Sequence, residues 1–112
     1  MARLNYVEFP ASDKAASKAF FERAFGWTLS DFGPDYAATV TDDVDIGLDG
    51  SGSPVSAALA VIEVEDIDAA LIAVEAAGGV VTRPIFPFPG GRRFHVREPS
   101  GNELGVWQRG EH

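Results

Sequence analysis

The chain says nearly the same thing twice. Asp13 and Asp66 each stand where a helix begins, 53 residues apart, and Gly26 and Gly79 stand where those helices close, again 53 apart. Two later stretches also match, Asp45-Ile46-Gly47-Leu48 and Glu103-Leu104-Gly105-Val106, at an offset of 58. An internal repeat is the strongest constraint on fold that one sequence can hold, because each copy must form the same supersecondary unit. Several matches in one order imply a duplicated module, with five residues inserted in the second copy near FPFPGG at 86–91.

The periodicities define the module. RLNYVEF at 3–9 alternates, with Asn5, Val7 and Phe9 on one face and Leu4, Tyr6 and Glu8 on the other, as a strand does. Ser12-Asp13 opens a helix over 14–24, with Asp13 its N-cap and Ala16, Ala19, Phe20 and Ala24 its apolar stripe. Gly26 is placed to cap its end. Strands are expected at Trp27–Phe32, Tyr36–Thr41 and Val44–Asp49, with turns at Gly33-Pro34-Asp35 and Asp42-Asp43. GSGSP at 50–54 reads as a flexible connector. The second copy follows: a strand at Ala57–Val64, and a helix over 67–77 capped by Asp66, turned inward by Ala70, Leu71 and Val74 and stopped by Gly78-Gly79. Strands at Val80–Phe86, Arg92–Arg97 and Glu103–Gln108 complete it, with FPFPGG as a loop after the first and a turn at Glu98–Gly101. The expected fold class is α+β: tandem βαβββ modules forming curved mixed sheets with helices outside. One domain spans 1–112, with module 1 at 1–50 and module 2 at 57–110.

Composition narrows the function. The net charge of −8 argues against nucleic acid, which requires a basic face, and against an anionic membrane surface. No apolar run approaches the roughly 20 residues of a membrane span. MARLNYVEFP lacks the apolar stretch of a signal peptide, so a cytoplasmic protein is expected. The absence of cysteine removes disulfides and thiol chemistry. No serine sits in a nucleophile elbow. The glycine-rich run GLDGSGS at 47–53 lacks phosphate-loop spacing and a following helix. Against the acidic background, Arg83, Arg92, Arg93 and Arg97 fall within 15 positions, which leaves room for a local positive site.

Three stretches carry a resemblance: NYVEFPASD with FFERAFGW at 20–27, VEDIDAALIAVEAAGG at 64–79, and EPSGNELGVWQ at 98–108. Together they resemble the vicinal oxygen chelate superfamily, which includes glyoxalase I, bleomycin-resistance proteins, fosfomycin-resistance enzymes and extradiol dioxygenases. The resemblance covers nearly the whole chain. Its motifs are specific for the fold and weak for any one activity. In metal-dependent members the first and last strands of each module supply the ligands inside a cupped sheet. Those places fall here on Tyr6, Gly47, Leu59 and Gly105, where a chelating relative has His, Gln or Glu. The resemblance therefore implies a glyoxalase-like member lacking the usual metal ligands, with no cofactor.

Two readings of Gly47 and Gly105 stand side by side: they open space in the cup, or they ease sheet curvature. The pocket that the resemblance implies is lined by Tyr6, Glu8, Gly47, Leu59, Arg93, His95, Gly105 and Trp107. An imidazole, a cation and aromatic surfaces suit a small anionic or aromatic ligand. A partly solvated sheet face or a subunit contact is the bland reading of the same residues. Glu8 and His95 are the candidates for proton transfer, since a histidine titrates near neutral pH. His112 ends the chain. If a divalent metal were held, Glu8, His95 and Glu103 would be its alternative ligands. Phe86 and Phe88, with Pro87 and Pro89, would form a lid or a subunit contact. Family members are often dimers, so a homodimer is expected.

The leading expectation is a metal-independent binder of a small organic ligand, serving sequestration, resistance or metal-free catalysis. The alternatives are a metal-dependent lyase, isomerase or transferase of the glyoxalase I type, and a structural or regulatory dimer with a filled cup.

Overall fold

A computed structural model of the chain describes residues 2–52 and 57–110. The connector expected at 50–54 runs outside the described residues beyond Gly52, as does His112. The elements follow βαβββ twice: β1 Arg3–Pro10, α1 Lys14–Phe25, β2 Ser30–Asp31, β3 Tyr36–Ala38 and β4 Asp45–Asp49, then β5 Leu59–Glu63, α2 Ile67–Ala76, β6 Val80–Phe88, β7 Gly91–Arg97 and β8 Glu103–Arg109. The chain forms two compact units, one of Tyr6–Leu59 and one of the residues up to Asn5 together with those from Ala60 onward. No helix among the described residues is long and apolar enough to cross a membrane.

In the first unit the strand order is β2-β3-β4-β1. β1 and β4 run parallel, with Glu8 beside Gly47, and β3 pairs antiparallel to β4, with Ala38 beside Gly47. Asp13 Oδ1 accepts from the Ala16 amide at 3.0 Å, which satisfies one of the orphan donors of the first helical turn. Gly26 closes α1 at φ 70°, a left-handed conformation that glycine adopts without a Cβ clash. The core joins Ala11, Leu29, Ala37 and Leu48, with Phe9, Phe21 and Ile46 packed on it.

The apolar stripe of α1 differs from expectation by one position. Phe21 faces the core and Phe20 is 59% exposed, while Ala16 and Ala24 are also exposed. The stack of Phe21 on Phe9 and on Trp27, with centroids at 5.8 and 5.7 Å, decides the rotation of the helix. Trp27 is thereby drawn onto the helix, and the strand expected at Trp27–Phe32 shrinks to Ser30–Asp31. The strand expected at Tyr36–Thr41 ends at Ala38. Beyond it, Thr39 Oγ1 donates to Asp45 Oδ1 at 2.7 Å, and the Thr41 amide and hydroxyl donate to the same oxygen. That loop replaces the last ladder bonds.

In the second unit the order is β5-β8-β7-β6, with β5 and β8 parallel and the other pairs antiparallel. Asp66 caps α2 through the Ala69 amide at 3.1 Å. Ile67, Phe94, Val96 and Val106 make its core, and Ala70, Leu71 and Val74 pack on it as expected. The left-handed residue after α2 is Gly78, at φ 98°, rather than Gly79, because this helix stops earlier in the repeat than α1. A Cβ on Gly79 would instead crowd Val96 and the Val74 carbonyl.

FPFPGG is not a loop. β6 continues through Phe88, and only Pro89-Gly90 turns the chain into β7. β6 shifts register twice against β7, between Val81 and Arg83 and between Arg83 and Phe86, the second shift at Pro84, while Pro87 pairs opposite Arg92. The strand pairs on one side only, the position in which a strand tolerates proline. The register also makes the repeat geometric: Glu8 lies beside Gly47 as Val61 lies beside Gly105, the same 53 and 58 offsets read from the sequence.

Candidate functional site

Each unit gathers chemistry on one sheet face. In the first, period-two alternation puts Ala38, Gly47 and Glu8 side by side across β3, β4 and β1. Tyr36 stands two residues before Ala38, and its hydroxyl donates to Glu8 Oε2 at 2.9 Å. The Tyr6 and Tyr36 hydroxyl oxygens are 2.5 Å apart. Since the single proton of Tyr36 goes to Glu8, Tyr6 is the donor in that pair. Burial first, then the Glu8 charge and Tyr6, holds the Tyr36 phenol far above its ordinary range, so Tyr36 stays protonated and donating.

Gly47 does not open a space. A Cβ there would overlap the hydroxyls of both Tyr6 and Tyr36. The room left by the missing side chain is filled by the chain's own phenols, so of the two readings of Gly47 the open space does not hold. Sequence reasoning found Tyr6, Glu8 and Gly47 and missed Tyr36. The available signal was the alternation Tyr36-Ala37-Ala38 facing a glycine.

In the second unit the residue opposite Gly105 on β7 is His95, and both are buried. Arg93, two residues along the same strand, donates to His95 Nε2 from Nε at 3.2 Å and approaches it with Nη2 at 2.8 Å. His95 Nδ1 faces Glu103 Oε2 at 3.5 Å, an oxygen that also accepts from Thr82 Oγ1 at 2.9 Å. A guanidinium can only donate, so the network assigns the imidazole proton to Nδ1.

Aromatic rings surround this group. Phe86 meets His95 edge-on at 5.8 Å and Phe88 meets Trp107 at 6.1 Å. The Arg93 guanidinium lies 5.8 and 5.7 Å from the Phe86 and Phe88 centroids, and Arg83 sits 3.6 Å over Phe86. Trp107 is oriented by Asn5: its Nε1 donates to Asn5 Oδ1 at 3.2 Å, and Asn5 Nδ2 donates to Glu63 Oε1 at 2.9 Å. Asn5 is buried, and sequence reading gave it no role. Of the four arginines grouped in sequence, only Arg83 and Arg93 meet here. Arg92 reaches Asp68 of α2 at 3.5 Å, and Arg97 is exposed. Leu59 is buried in β5, where it offers a ligand no polar atom.

The four places that the resemblance assigns to metal ligands hold Tyr6, Gly47, Leu59 and Gly105. Two of these have no side chain and one is aliphatic, and structural or catalytic metal sites draw on imidazole, carboxylate or thiolate donors. Among the described residues no three of His, Cys, Asp and Glu converge as a metal-holding group. The residues at those four places do not offer the donor set of a chelated divalent ion.

The family model described as Glyoxalase/Bleomycin resistance protein/Dioxygenase superfamily matches residues 3–106. CFP32 of Mycobacterium bovis, a candidate glyoxylase by name, is 29% identical over 96% of this chain. The chain spans 46% of that relative's length. A superfamily member from Vibrio splendidus 12B01 has a TM-score of 0.73 at 23% identity, covering 97% of this chain and 99% of its own. The Mn(II)-bound glyoxalase of Novosphingobium aromaticivorans has a TM-score of 0.71 at 22% identity, over 96% of this chain and 40% of its own. These structural likenesses establish the fold.

Proposed function

The chain belongs to the Glyoxalase/Bleomycin resistance protein/Dioxygenase superfamily, and on that premise we propose that it holds a small aromatic anion against Arg93, His95 and Trp107 without a metal. One observation carries the reading: the Arg93 guanidinium is braced by His95 and flanked by the Phe86 and Phe88 rings. A braced guanidinium loses little freedom on binding a carboxylate, and the neighbouring rings supply flat apolar contact. The use of the site is sequestration of the ligand or metal-free chemistry upon it. The CFP32 name points to glyoxylase activity, and this chain spans 46% of that protein's length.

Isothermal titration of chelator-treated protein with a panel of aromatic carboxylates tests the proposal. Binding persists without metal and weakens by about 10-fold or more in Arg93→Ala, the size of one charge-assisted hydrogen bond. Binding that appears only after a divalent ion is restored would sink it. The same reading takes the chain as a homodimer. Phe20, Phe25 and Trp27 are exposed on the first unit at 59%, 57% and 42%, an apolar patch of the kind that marks interaction surfaces. Sedimentation at graded concentration measures that state, and a monomer throughout would remove the dimer from the proposal.

A further inference from the structure

The two register shifts of β6 change which of its residues share the His95 face. Each shift puts one extra residue in β6 against β7, and an extra residue of this kind re-aims the side chains around it. Arg83 and Phe86, three positions apart, would face opposite ways in a regular strand. With the second shift between them, the Arg83 guanidinium lies 3.6 Å over the Phe86 ring. Phe86 in turn meets His95 and Arg93. Thr82, beside the first shift, reaches the same face and donates to Glu103 Oε2.

Arg83 comes to this face with its donors uncommitted. Stacking occupies the flat side of a guanidinium and leaves the N–H groups around its edge, in the fork that matches a carboxylate. Among the described residues no hydrogen bond or ion pair takes them. Acidic residues outnumber basic ones 17 to 9, yet Glu103 on this face is engaged by Thr82 and His95 instead. Arg83 is also exposed, so an incoming anion meets it from solvent.

We propose that Arg83 reads a second anionic group on the ligand, so that the face takes an aromatic dianion, such as a benzenedicarboxylate, in preference to a monoanion; the assignment rests on the proposed hold of a first carboxylate by Arg93. Both guanidiniums sit on one ring, 3.6 and 5.8 Å from the Phe86 centroid, within the span of one small ligand. A monoanion gains one of them. A dianion gains both, against a net charge of −8 that otherwise repels it more strongly. Arg83 is thus the residue that sets the charge of the ligand, and the bulged edge strand is what brings it there.

Isothermal titration of chelator-treated protein with benzoate and the three benzenedicarboxylates tests it. In wild type the best of the three isomers binds about 10-fold more tightly than benzoate or better. In Arg83→Gln, which removes the charge, that ratio falls to about twofold or less. Arg83→Met keeps the apolar contact with Phe86 and lowers the ratio in the same way. Both substitutions fall on an exposed residue of an edge strand, and circular dichroism checks the fold of each. Benzoate binding with no gain from a second carboxylate overturns the Arg83 assignment and leaves the Arg93 reading standing, as does a gain that survives both variants. Binding of neither benzoate nor any isomer overturns the two together.

Discussion

Arg93 and His95 lie two residues apart on one strand and meet side chain to side chain, with the guanidinium nitrogens at 2.8 and 3.2 Å from Nε2 of the imidazole. The pairing sets the histidine tautomer from a residue that has no other proton state. His95 therefore carries its neutral-form proton on Nδ1, facing Glu103. Long-range proton–nitrogen correlation spectra will show Nε2 as the unprotonated nitrogen, and in Arg93→Ala the two tautomers will mix. A protonated Nε2 in the wild type would refute the arrangement.

Gly47 is the tightest point of the first unit's chemistry. In Gly47→Ala the new methyl meets the Tyr6 and Tyr36 hydroxyls, and the rings must swing away from Glu8. Overpacking of this kind costs about 1–3 kcal/mol, measurable as a lower urea midpoint at constant slope. The cost shrinks in a Tyr36→Leu background, because the two residues share one volume and their effects are not additive. Equal costs in both backgrounds would show that the phenols are not what Gly47 accommodates.

Asn5 orients Trp107 from outside the strand that carries it. Its side chain accepts from the indole and donates to Glu63. Asn5→Ala leaves a half-buried indole N–H and a carboxylate oxygen each short of a partner, and removing one partner of such a bond costs about 1–3 kcal/mol. Stability falls by that amount and the tryptophan emission maximum shifts. A fall in stability with unchanged emission would mean that Trp107 is held by Phe88 and by Arg109, whose guanidinium lies 5.0 Å from the Trp107 ring, rather than by Asn5.

Asp31 ties β2 to α1. Lys18 holds it at 2.9 Å and Lys14 at 3.0 Å. The Lys18 hydrogen bond first, then that of Lys14, lowers the Asp31 carboxyl below its ordinary 3.8. A carboxyl with a depressed folded-state pKa stabilises the fold above its unfolded value and loses that contribution as pH falls through the folded one. Thermal melts of Asp31→Asn will thus lie below wild type at neutral pH and converge with it under acid, below about pH 3.8. The gap also narrows in high salt, because the pair is solvent-exposed and screened. A gap that persists at acid pH would assign the effect to something other than the ion pairs.

The duplicated module was legible because it is written in local signals. A cap aspartate and a closing glycine recur at fixed spacing, and Phe94, Val96 and Val106 alternate as a half-buried strand must. Three features were not legible, each for a tertiary reason. Pro87 read as loop, yet a strand that pairs on one side only tolerates it, opposite Arg92. Gly47 could be read as a vacancy or as a relief of curvature because the phenols that fill its place come from other strands, Tyr36 on β3 and Tyr6 on β1. Asn5 read as one more alternating residue, since its partners Glu63 and Trp107 lie 58 and 102 residues away. The candidate site was accordingly legible in its residue types and not in its contacts.

The inward face of α1 shows the same limit in one step of helix. Phe20 and Phe21 are adjacent, and composition cannot say which turns in. Stacking on Phe9 and Trp27 selects Phe21, while Phe20 touches it only edge-on and remains exposed. Removing a packed aromatic costs about 3–5 kcal/mol, and removing an exposed one much less. Phe21→Ala will therefore lower the unfolding free energy by several times as much as Phe20→Ala in matched urea titrations. The reverse order would mean that α1 is rotated by about 100° from the position described, with Phe20 rather than Phe21 on the core.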